Sequence, residues 1–104
     1  MILVNTETIT GREISETLGL VRGSTVRARN FGRDIFAGIK NIVGGEISEY
    51  TKLLADSREQ AIYRMVQDAE KLKADAIINV RFTTSAVMQG SSEILAYGTA
   101  VKLK

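Results

Sequence analysis

The feature that most limits what this chain can become is one long helical period. Across residues 46–73, Ile47, Tyr50, Leu54, Ala61, Met65, Ala69 and Leu72 fall on one stripe at 3.6 residues per turn. The chain contains no proline, so the strongest helix breaker is missing. Glu46 and Glu49 stand at the start of the stripe, Lys71 and Lys73 at its end, as the helix macrodipole favours. A continuous helix of that length spans about 40 Å, more than a 104-residue monomer needs. A competing signal is Ser57-Arg58-Glu59-Gln60, which fits a capping box and would start a second helix at Ser57. The stripe keeps phase from Leu54 to Ala61 with no glycine between, so one helix is the reading adopted and a break at Ser57 the alternative. Arg58 then falls within the apolar stripe. A charge there needs a partner, expected to be a carboxylate that a neighbouring subunit could supply.

Such a helix must lay its stripe on something. Residues 76–88 have high β propensity, with Ala76, Ile78, Val80, Phe82, Thr84, Ala86 and Met88 sharing one face. Gln89-Gly90-Ser91-Ser92 supply a hairpin turn. Residues 93–103 return, with Leu95, Tyr97, Thr99, Val101 and Leu103 on one face and Gly98 as a bulge or close approach. Residues 18–28 are extended and interrupted by glycines, which predicts a bulged strand beside this hairpin. Residues 1–9 read as a short strand and turn. Residues 31–43 have helical spacing, with Asn30 as N-cap and Gly44-Gly45 as the stop. Gly38 inside that helix points to a close backbone neighbour. The fold class is α+β: a small antiparallel sheet, one long helix packed across it and a short helix, in one domain of residues 1–104.

Composition excludes much chemistry. There is no Cys, no His and no Trp. Disulfides, thiolate sites and Cys or Ser-His-Asp nucleophile systems are therefore ruled out. No apolar run approaches the ~18 residues a membrane helix needs, and a cytoplasmic location with no membrane partner is expected. A chain this short buries about two thirds of its unfolded surface, so oligomerisation would help it. Charge is uneven along the chain. Arg22, Arg27, Arg29, Arg33 and Lys40 oppose Asp34 alone, for +4, whereas residues 46–75 sum to −2. That contrast suits complementary subunits, with a solvated face as the alternative.

Four blocks in order carry a family resemblance. They are the run from Asn30 through Arg33, Asp34, Gly38, Gly44 and Gly45 to Glu46, Glu49 and Tyr50; Arg58-Glu59-Gln60-Ala61; Ala74-Asp75-Ala76-Ile77-Ile78; and Gly98-Thr99-Ala100-Val101. Over the whole chain they resemble the YbjQ-like family, small bacterial and archaeal proteins of unknown function often labelled heavy-metal-binding. The resemblance implies a dodecin-like subunit assembling into a homopentamer ring. Lys73 and Asn79 depart from it, standing where glycine is common.

The candidate residues are Arg33, Asp34, Gly38, Gly44, Gly45, Glu46 and Arg58, as interface or ligand positions. Soft metals need thiolate, thioether or imidazole. Only Met1, Met65 and Met88 remain, and the last two sit on apolar faces. Carboxylates suit Mg²⁺ or Ca²⁺, yet no D-x-D-x-D-G loop is present. No metal site on one subunit and no cofactor is expected, although symmetry-related carboxylates could hold an ion. The spacing of Gly32, Gly38, Gly44 and Gly45 fits no phosphate loop, and close packing at a subunit interface explains it better. Gly44-Gly45 before a helix could bind an anion, but Glu46 and Glu49 already occupy that potential. No nucleic-acid motif accompanies the arginines, so interface ion pairs are the better reading for them. The expectation is a non-enzymatic homo-oligomer that scaffolds or binds. An inter-subunit or axial site for a metal ion or small anion is the alternative, and nucleic-acid binding a third.

Overall fold

The long stripe forms one helix, and the strands on either side of it in sequence meet beneath it. In this computed structural model, residues 1–27, 42–43, 46–88 and 91–104 are described, with side chains for 1–26, 51–86 and 92–104. The elements are β1 (Ile2–Leu3), β2 (Ile14–Arg27), β3 (Ile42–Val43), β4 (Glu46–Ile47), α1 (Ser48–Lys71), β5 (Ala76–Met88) and β6 (Ser91–Leu103). The main sheet has the order β1-β5-β6-β2. The expected all-antiparallel sheet is corrected to a mixed one, because β1 runs parallel to β5, while β5–β6 and β2–β6 are antiparallel. The strand of the twenties does lie beside the C-terminal hairpin.

The short helix expected at 31–43 falls mostly outside the described residues. Its last two positions, Ile42 and Val43, are strand instead and pair with Ile47 and Glu46. The same pairing delays the long helix to Ser48. No break occurs at Ser57. That residue is buried and its hydroxyl donates to the Leu53 carbonyl at 2.8 Å, a bond back to the preceding turn that leaves the helix intact. The helix closes after Lys71. The Ala74 N–H bonds the Ala69 carbonyl and the Lys73 N–H the Glu70 carbonyl, which is a Schellman stop with Lys73 in the left-handed region at φ 61°.

α1 lies across β2 and β6 and barely reaches β5. Ala61, Met65 and Ala69 on the helix are fully buried with Val21, Ile77, Ala96 and Ala100 on the sheet. The fit needs a glycine: a Cβ on Gly23 would land on the backbone of Ala61, Arg64 and Met65. On the opposite face, Ala76, Ile78 and Val101 form a second core under Ile2, Val4, Ile9, Ile14 and Leu103.

A bulge joins the two cores. Register shifts between Ile78 and Arg81, opposite Thr99 and Tyr97, with Asn79 at φ 52°. The one face expected for 76–88 is therefore split. Ala76 and Ile78 face the second core, whereas Val80 packs on the helix side. Gly98 sits against this bulge, where a Cβ would come within 2.7 Å of the Ile77 side chain and 2.9 Å of the Ile78 carbonyl. No helix of the described residues is long and apolar enough to cross a membrane.

Candidate functional site

The residues singled out in sequence do not converge on one site among the described residues. Arg33, Asp34, Gly38, Gly44 and Gly45 lie outside them. Glu46 is in β4, paired with Val43. Arg58 corrects its expectation: it is exposed on α1, and Ser57 takes the inward position. The apolar stripe allows either roll of the helix at that turn. Burying a guanidinium costs far more than burying a hydroxyl bonded to its own helix, so the helix rolls toward Ser57. Among the described residues Arg58 makes no ion pair.

A metal centre finds no donor set here. With no Cys or His in the chain, soft-metal ligands reduce to methionine, and Met65 is fully buried in the core. Among the described residues no group of three carboxylates converges on a point where an ion could sit. A heavy-metal site within the described part of one subunit therefore does not fit these residues.

What the chain does present is an apolar groove at one side of the helix, where α1 leaves β5 uncovered. Leu3, Val4, Asn5, Ile62, Val80 and Phe82 line an open volume of about 350 Å³. The N-terminal segment is held there by Val4 N–H to the Ile77 carbonyl and Val80 N–H to the Val4 carbonyl, each at 3.0 Å. Arg81 closes the end by donating from Nη1 to the carbonyls of Asn5 at 2.9 Å and Val80 at 3.1 Å. The groove has no nucleophile and no acid–base pair among its lining residues, so its chemistry is the burial of apolar surface. Two large side chains here remain open: Leu3 at 39% and Phe82 at 48%. Sequence reasoning missed this site because it placed Phe82 with Ala76 and Ile78. The available signal was Asn79, a residue that tolerates a left-handed backbone standing where glycine is common.

The two outer edges of the sheet differ. On β2, the Asp68 carboxylate accepts from the Arg22 N–H at 3.1 Å, and Arg64 donates to the Ser24 carbonyl at 2.6 Å. One helical turn separates these two side chains, so α1 caps consecutive outward-facing positions of that strand. On β5, the chain's own N-terminal segment occupies the edge as far as Val80, and Asn79 N–H also bonds the Thr6 carbonyl at 3.0 Å.

Comparison with known proteins gives a family. The model of a YbjQ family described as "Putative heavy-metal-binding" matches residues 1–104. A UPF0145 protein of Halorubrum lacusprofundi is 61% identical over 104 residues, covering 100% of both chains. A UPF0145 protein of Methanosarcina acetivorans is 59% identical, covering 99% of this chain and 97% of its own. Among solved structures, a protein with unknown function from Pediococcus pentosaceus, described as a member of the DUF74 family, superposes with TM-score 0.66. It covers 100% of this chain and 98% of that one, and at 16% identity it shows a shared fold.

Proposed function

The chain belongs to the YbjQ-like family, and from that premise we propose that it works as a non-enzymatic binding or scaffold subunit of a cytoplasmic homo-oligomer, a pentameric ring being the assembly the family resemblance implies. The observation that carries this reading is the half-open apolar surface of Leu3 and Phe82 in the groove. Contiguous surfaces of that kind mark interaction sites.

Size-exclusion chromatography with light scattering tests this. An oligomeric mass at micromolar concentration supports the proposal, and a single species at 11.4 kDa ends it.

A further inference from the structure

We propose that the open half of the sheet face turned away from α1 binds a nucleotide, with its base on Tyr97 and Leu95 of β6 and its phosphate held by Arg22 of β2 and Arg81 of β5. The site goes beyond the reading above and does not depend on the number of copies.

Strand phase places these side chains together. On β2, Val21 and Thr25 are buried and Gly23 meets the backbone of α1, so alternation turns Arg22 and Ser24 to the other face. On β6, Ile94 and Ala96 are buried in the helix-side core, which turns Leu95 and Tyr97 away from it. On β5, Val80 packs on the helix side, which turns Arg81 and Thr83 away. Register then sets two rows across three strands. Arg22 and Arg81 both stand opposite Tyr97, and Ser24 and Thr83 both stand opposite Leu95. Neighbouring strands lie about 4.8 Å apart, so both flanks reach a group resting on the middle strand. The second core covers Ala76, Ile78 and Val101 elsewhere in the sheet. Here Arg22, Arg81 and Thr83 are exposed, and Ser24, Leu95 and Tyr97 are half-buried.

The two rows form an apolar, aromatic centre between two lines of hydrogen-bond donors. Among the described residues the Arg22 guanidinium makes no hydrogen bond or ion pair, and Asp68 accepts from the Arg22 backbone N–H instead. Arg81 is held by the Asn5 and Val80 carbonyls through Nη1 alone, which leaves its Nε and Nη2 to donate. Glu93 stands on this face of β6, about 13 Å along the strand from Tyr97. Two arginines with no carboxylate between them suit a phosphate, which the guanidinium fork grips with paired donors. An aromatic side chain on an open sheet face suits a base, which stacks on it. A free nucleotide and a nucleotide within a single strand share this chemistry.

Fluorescence anisotropy with a labelled oligouridylate of about eight nucleotides and calorimetry with ADP, both at about 50 mM salt, test this on the whole protein. Tighter binding of the oligonucleotide assigns the site to a single strand, and equal or tighter binding of ADP assigns it to the free nucleotide. For a strand held at two phosphates, log affinity should fall with log salt at a slope of about −1.4. Arg22→Ala and Tyr97→Leu should each weaken the bound probe about five- to tenfold with unchanged circular dichroism. Arg58→Ala, on the exposed side of α1, should leave it unchanged. No binding of either probe up to about 1 mM overturns the proposal. So does inorganic pyrophosphate bound as tightly as ADP, because the base then contributes nothing. So does an Arg58→Ala loss equal to that of Arg22→Ala, because the attraction is then spread over the whole surface. If Tyr97→Leu does not fold, Arg22→Ala and the pyrophosphate comparison decide.

Discussion

Three residues stand where the backbone favours glycine. Gly23 lets α1 approach β2 so closely that a Cβ would collide with helix backbone rather than with a flexible side chain. Gly23→Ala should therefore cost about 2–3 kcal/mol, read as a lower urea midpoint with an unchanged slope. Lys73 ends the helix in a left-handed conformation at φ 61°, the position where Schellman stops use glycine. Lys73→Gly should raise stability by about 0.5–1 kcal/mol. Asn79 stands at the β5 bulge with φ 52°, and asparagine tolerates that region better than lysine. Asn79→Gly should accordingly gain less than Lys73→Gly in the same denaturation series. Both positions, where the resemblance implies glycine, thus have positive φ. The fold keeps its geometry there at a local cost.

At the scale of elements, α1 serves both as cover for the core and as guard of an edge. Its inner face buries Ala61, Met65 and Ala69. Its flank caps Arg22 and Ser24 through Asp68 and Arg64. Arg64→Ala combined with Asp68→Ala should cost about 1–2 kcal/mol and raise concentration-dependent aggregation by static light scattering, because the β2 edge is then open. The helix, its continuity and the C-terminal hairpin were legible in sequence, since an unbroken 3.6-residue period and a period of two over 76–88 are strong local signals. The bulged strand at Gly19 was legible too, with φ +127° there. The parallel β1 was not, because two residues carry no periodicity and their pairing with Ala76 and Ile77 is set by distant packing. Arg58 was misplaced because a stripe of mixed small and large residues leaves the roll of the helix open by one position. The groove stayed hidden behind the Asn79 bulge, which moves Val80 and Phe82 off the face of Ala76 and Ile78.

For the whole molecule, one short chain builds two thin cores on opposite faces of a sheet and, among the described residues, leaves large apolar side chains open. The ion pair found among the described residues, Lys104 with Glu13 at 3.2 Å, is largely exposed and adds little to stability. Chain stability should therefore change little with salt. The donor chemistry bears on the family's metal label as well. With neither Cys nor His, added Zn²⁺, Cu²⁺ or Ni²⁺ should leave Tm within about 1 °C, because a ligand stabilises only through binding to the native state. A metal-dependent rise of several degrees would point to carboxylates brought together between subunits.

The measurement that bears most directly on assembly is the molar mass in solution by light scattering, taken across a dilution series from high to low micromolar. The expected result is one species at about 57 kDa, five times the chain's 11.4 kDa. A mass of 11.4 kDa throughout the series, with the fold intact, would contradict it.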